Sequence, residues 1–163
     1  MAVTHILVAV DFSDPAARAL GLATEEAAAH GARLTLLHVL PARAGTEVYF
    51  EGPPGGPFDP GATARVGAPW PTTSGTVVRH QPDETARTRL LDLVPDSLRS
   101  RCDVEVGTGA PADTIVRVAQ ERGADLIVMG THGRTGIQHM LLGSVAEKVV
   151  RLAPCPVLTV RHP

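Results

Sequence analysis

Apolar positions along this chain come in blocks rather than in strict alternation. "THILVAVDF" (residues 4–12) is an almost continuous apolar run closed by polar residues, and "RLTLLHVL" (33–40), "DLIVMG" (125–130) and "PVLTV" (156–160) repeat the pattern. A strand with one solvated face alternates, whereas a strand covered on both faces does not. These runs read as buried parallel strands, and "DVEVGTG" (103–109) supplies the third of five. Helical segments separate most of them: "DETARTRLLDLV" (83–94), "PADTIVRVAQERG" (111–123) and "SVAEKVVRLA" (144–153). The segment "SDPAARALGLATEEAAAHG" (13–31) is a helix with both ends marked. It has Ser13 or Asp14 as cap, Pro15 pre-set for the first turn, an alanine-rich interior and Gly31 as the stop. Alternating strands and helices predict an α/β fold, an open parallel sheet with helices on both faces. Its ligands belong at the carboxyl ends of the strands.

One region breaks the pattern. Residues 43–82 hold half of the 14 prolines together with the only Trp and Tyr. This reads as a Gly/Pro-rich insertion in one domain spanning 1–163. A loop of that length is normally functional or disordered, and "YFEGPPGGP" could be a mobile surface segment or a cover for a ligand, since it follows the second strand. At 163 residues and 44% hydrophobic, the rest suffices for one real core. The net charge of -2 and the lack of a basic run give no electrostatic reason to expect nucleic acid. No apolar stretch reaches the roughly 18 residues that a membrane span needs, and the N-terminus carries no secretory pattern, so the expected location is the cytoplasm. Cys102 and Cys155 form neither a CxxC pair nor a metal spacing and read as reduced, small core residues.

The chemistry concentrates in "VMGTHGRTGIQHMLLGSVAEKVV" (128–150), where four glycines lie between a strand and a helix. Gly130 and Gly133 would let the main chain curl closely around a polyphosphate. Gly143, Ser144 and Val145 would present N–H groups at a helix N-terminus, where the helix dipole also favours an anion. The Ser144 hydroxyl suits either an N-cap or a phosphate donor. Loop chemistry alone leaves phosphate binding and a plain glycine-rich turn both open. The loop is not a Walker A sequence, because the chain's only lysine is Lys148, inside the helix, and GxGxxG is also absent. His132 could touch a phosphate, although solvent exposure is the expectation for both His132 and His139. His5 and His38 read as satisfied polar positions near strand ends, and no HxH or HExxH spacing suggests a protein-built metal site. ATP hydrolysis would need a charge clamp at the γ-phosphate, for which Arg134 is the nearby candidate. No GxSxG elbow supports acyl transfer. A binding protein with at most slow ATPase activity is expected, with a nucleotidyl or phosphoryl transferase and a nucleotide-free dimeric scaffold as the other readings.

The spacing Gly130, Gly133, Gly143-Ser144, preceded by "VMG" and followed by a helix and "CPVLTV", resembles the nucleotide-binding signature of the universal stress protein family. "ILVAVDFSDPA", "LLHVL" and "GTGAPADTIVRVAQERGADLIVMGTHGRTG" extend the likeness over nearly everything outside 43–82. The resemblance implies a Rossmann-like sheet of five parallel strands in order 3-2-1-4-5, with ATP at the switch point between strands one and four. It also implies a homodimer through the C-terminal strand. By position, Asp11 would lie near the ribose and adenine, although "DFSD" also suits helix capping. Val39 would offer its backbone to the adenine edge, and Met129 and Gly130 would flank base and ribose. Gly133, Gly143, Ser144 and Val145 would hold the phosphates. Mg²⁺ or Mn²⁺ would arrive bound through the phosphates. The family likeness points to an ATP-binding, nucleotide-dependent stress-response regulator.

Overall fold

The computed structural model describes residues 3–41, 50–51, 76–77, 84–132 and 142–161. In chain order, the first compact unit (Met1–Ala42 with Pro82–Pro163) opens with β1 (His5–Ala9), α1 (Asp14–His30) and β2 (Arg33–Leu40). It continues with α2 (Glu84–Asp92), a 3-10 turn (Asp96–Arg101), β3 (Cys102–Thr108) and α3 (Pro111–Arg122). It closes with β4 (Leu126–Gly130), α4 (Ser144–Leu152) and β5 (Val157–Val160). All five strands pair in parallel, in the order β3-β2-β1-β4-β5. The expected architecture is therefore present, with most element ends displaced by one or two residues, the carboxyl end of the first strand by three, and an unexpected 3-10 turn before β3. Arg43–Gln81 forms a second compact unit. Its described part is an antiparallel pairing of Phe50–Glu51 with Thr76–Val77, and the remainder of "YFEGPPGGP" lies outside the described residues.

The apolar runs are buried on both faces, as their lack of alternation requires. On one face Ile6, Val8, Leu34, Leu36 and Val128 pack with Ala19, Ala23 and Ala27 of α1 and Leu90 of α2. On the other, Leu7, Leu37, Ile127 and Met129 pack with Ile115 and Val118 of α3 and Val149 of α4. The α1 cap is Ser13 rather than Asp14: its hydroxyl accepts the Ala16 N–H at 3.4 Å, and Gly31 closes the helix in the left-handed region at φ 66°. The small buried face of α1 lets its first turn lie directly on the end of β4. A Cβ on Gly130 would stand 2.8 Å from Pro15 Cβ and 3.1 Å from the Pro15 carbonyl carbon.

At the amino ends of the strands the polar groups satisfy one another. Asp125 Oδ2 accepts from the Thr4 N–H (2.8 Å), the Thr4 hydroxyl (2.6 Å) and the His5 N–H (3.0 Å). The His5 ring is buried and bridges Arg122 O (3.0 Å from Nδ1) and Thr35 Oγ1 (2.8 Å from Nε2). A carbonyl can only accept, so Nδ1 carries the proton and Nε2 accepts from the threonine. Burial holds the His5 pKa below its ordinary value, and the three donors hold that of Asp125 below its own. Both cysteines are free and half-buried rather than fully enclosed, and burial pushes the Cys102 thiol up to about 11.

Candidate functional site

At the carboxyl ends of the strands the geometry is open. Pairing between β1 and β2 ends at Ala9↔Leu37, and between β1 and β4 at Ala9↔Met129. Beyond Ala9 the chain turns into α1, while β2 runs on to Leu40 and β4 to Gly130. A cleft of about 320 Å³ forms beyond the end of β1, at the point where the sheet's connections diverge to opposite sides. Its size falls at the lower end of the range for small-molecule sites, about 300–1,000 Å³. Asp11, Val39, Met129, Gly130, Gly143, Ser144 and Val145 all line it. Gly133, Arg134 and His139 lie outside the described residues.

The cleft presents matched polar and apolar parts. Asp11 lines it with a carboxylate whose Oδ1 accepts from the Ser13 N–H at 3.1 Å and from the Ser13 hydroxyl, so the acid is tied to the helix cap without being the cap itself. Leu37 O accepts the Val10 N–H at 2.8 Å, and residues two apart in a strand direct their backbone groups to the same side. Val39 therefore directs its N–H and C=O past the end of β1, toward the cleft. Met129 is buried in the core below α3 and α4 and also forms the floor, so its core and lining roles coincide. Pro111 and Ile115 of α3 add an apolar wall.

The phosphate-like end differs in detail from the loop reading. Gly130 is glycine because Pro15 packs against it, an internal requirement that needs no ligand. The Gly143 N–H donates to Thr131 O at 2.7 Å, so it is spent on the protein. Gly143 is the N-cap of α4, and Ser144, the first helical residue, does not cap it. The N–H groups of Ser144, Val145 and Ala146 have no acceptor among the described residues, as expected in a first helical turn, and all three residues line the cleft. His132 is half-buried and lines the cleft rather than standing in solvent, with Nδ1 3.0 Å from Thr131 Oγ1. Thr131 itself is buried and tied to β5 through Val160 O.

Comparison with known proteins places this arrangement. The description "Universal stress protein family" matches residues 2–161. The chain belongs to the universal stress protein family. It is 38% identical over 161 residues to a universal stress protein of Thermus aquaticus, covering 96% of this chain and 97% of that protein. A 59-residue stretch is 56% identical to universal stress protein MJ0531 of Methanocaldococcus jannaschii and spans 35% of that relative. The solved universal stress protein from Archaeoglobus fulgidus in complex with dAMP superposes with a TM-score of 0.54 and 28% identity, covering 98% of this chain and 99% of that one.

Within this universal stress protein, sequence reasoning missed the α3 wall and the Thr131 anchor. Pro111 was legible only as a helix start. Thr131, one of two residues between the signature glycines in "GTHG", gave no local sign that its carbonyl reaches Gly143.

Proposed function

We propose that the cleft binds an adenine nucleotide, ATP by preference, and that the protein is a nucleotide-dependent regulator of the stress response. The observation that carries this reading is the set of three N–H groups, from Ser144 to Ala146, that have no acceptor among the described residues and line a mostly apolar cleft together with the Asp11 carboxylate. Uncommitted donors at a helix N-terminus favour a phosphate. A carboxylate on the same cleft favours sugar hydroxyls, and the wall of Val39, Met129 and Ile115 favours a flat apolar base. The dAMP complex of the Archaeoglobus fulgidus relative supports the same ligand class. In this reading Asp11 accepts from the ribose, Val39, Met129 and Gly130 border the base and ribose, and Ser144 and Val145 donate to phosphate. Gly143 serves by anchoring the loop through Thr131, and Gly133 completes the signature.

Mg²⁺ or Mn²⁺ would enter with the phosphates, neutralising their charge. The described lining holds no lysine or arginine, and Arg134, the candidate clamp at a γ-phosphate, lies outside the described residues. Among the described residues no helix is long and apolar enough to cross a membrane, and the cytoplasm is the compartment this reading assigns. Residues 1–163 act as one universal stress domain, with 43–82 as an insertion.

The test is calorimetric titration of full-length protein with ATP and with inorganic triphosphate. Asp11→Ala should remove charge-assisted bonds of roughly 1.5 to 3 kcal/mol and weaken ATP at least about tenfold, leaving triphosphate unaffected. Equal wild-type affinity for ATP and triphosphate would reject an adenosine pocket.

The same reading includes a homodimer through β5. Among the described residues this strand pairs with β4 only and leaves Leu158 exposed, so it offers a free apolar edge to a partner. Pairing with its twofold mate closes the contact on itself. Light scattering at micromolar concentration should give twice the chain mass; a monomer there rejects the dimer.

A further inference from the structure

The turn from β1 into α1 contains Phe12 at φ 62°, the one positive-φ residue other than glycine among the described residues. An aromatic side chain adopts the left-handed region only where its surroundings hold it there. Two contacts do so. The Phe12 ring packs on the His38 ring at a centroid separation of 4.7 Å, tilted by 50°. On Phe12 also rests the guanidinium of Arg89, with Cζ 3.8 Å from the ring centroid. Arg89 comes from α2, stands exposed and takes no part in lining the cleft.

These contacts converge on Asp11. His38 Nδ1 donates to Val10 O at 2.6 Å, fixing the peptide just before Asp11. Phe12 follows Asp11 directly, and the Ser13 N–H returns to Asp11 Oδ1 at 3.1 Å. The carboxylate is thus held between a peptide clamped by His38 and a strained residue clamped by His38 and Arg89.

We propose that Arg89 is a positioning residue for the cleft: by holding the Phe12 ring against His38, it keeps the left-handed turn that presents the Asp11 carboxylate. Its effect on ligand rests on the nucleotide reading above, while the geometry of the turn is testable without any nucleotide. The device makes α2 a remote control of the cleft, since loss of one exposed cation from the Phe12 ring loosens the acid beside it in the chain.

Two measurements on the full-length chain decide it. In unliganded protein, Arg89→Ala should raise the exchange rate of the Ser13 amide, followed by NMR, about two- to fivefold, the range of one exposed cation–π contact. Arg89→Lys should restore it, because an ammonium also sits over an aromatic face. Phe12→Gly, which adopts φ 62° without strain and offers Arg89 no ring, should keep the fold and make Ser13 exchange insensitive to Arg89→Ala. In ATP titrations, Arg89→Ala should weaken binding by the same factor in the wild type and by nothing in an Asp11→Ala background. A Ser13 exchange rate unchanged by Arg89→Ala overturns the positioning role, as does an additive Arg89/Asp11 pair. If the wild type bound no ATP, the nucleotide reading would fail while Ser13 exchange still decided the role of Arg89.

Discussion

The two ends of the sheet use the same kinds of group in opposite ways. At the amino ends, Asp125 collects three donors and His5 spends both ring nitrogens on Arg122 O and Thr35 Oγ1. At the carboxyl ends, the first-turn N–H groups of α4 and one side of Val39 have no partner among the described residues and line a cleft. The difference follows from parallel topology. Every crossover brings helix N-termini, with their unsatisfied N–H groups, to the carboxyl side and helix C-termini to the other. The amino end is closed by side chains that accept and donate locally, while the carboxyl end keeps N–H donors that the proposed reading assigns to an anion. One end closes on itself and the other stays open.

The comparison breaks most severely at its two glycines. Gly130→Val places a Cβ 2.8 Å from Pro15 and against backbone, so it should cost about 1–3 kcal/mol in urea denaturation by displacing α1. A Cβ at Gly143 meets Thr131 O at 3.0 Å, a tight contact but a looser one than that at Pro15, and His132 Cα at an ordinary 3.6 Å. Gly143→Val should lower ATP affinity about tenfold in calorimetry with a smaller loss of stability, because it moves the N–H cradle rather than a helix. Equal stability losses in the two variants would erase the distinction between a packing glycine and a site glycine.

The closed end should reveal itself through pH. His5 has a folded pKa below its ordinary 6.5, so its contribution is complete above pH 6.5. As pH falls below that value, the unfolded chain takes up a proton that the folded chain resists. Stability should then decline by at most about 1.4 kcal/mol per pH unit, until the folded pKa is passed. His5→Gln should flatten this slope in denaturation curves recorded between pH 7 and 5. Asp125 acts in a lower window: its carboxylate is held below 3.8, so its contribution is present above that pH and lost as pH falls through the folded value.

The smallest effect belongs to the surface behind the cleft. Lys148 Nζ lies 2.7 Å from Asp113 Oδ1 and joins α4 to α3, but both side chains are substantially exposed. Lys148→Ala should change stability by less than about 0.5 kcal/mol, and the change should vanish in molar salt.

Much of this protein was written locally. Continuous apolar runs specified strands buried on both faces, and Ser13, Pro15 and Gly31 marked α1 because capping and helix termination are decided within a few residues. The glycine spacing in 130–145 marked the loop, and its strand-to-helix position placed that loop at the ligand end of the sheet. Tertiary structure decided what each of those groups does. It assigned Gly130 to Pro15 and Gly143 to Thr131, brought His132 into the cleft wall and set Arg89 over Phe12. It also joined His5 to a carbonyl 117 residues away. A periodicity or a capping pattern reports only the chain's own neighbourhood. Whether a glycine makes room for a ligand or for another part of the protein depends on which distant segment arrives beside it, and that is fixed only when the sheet assembles.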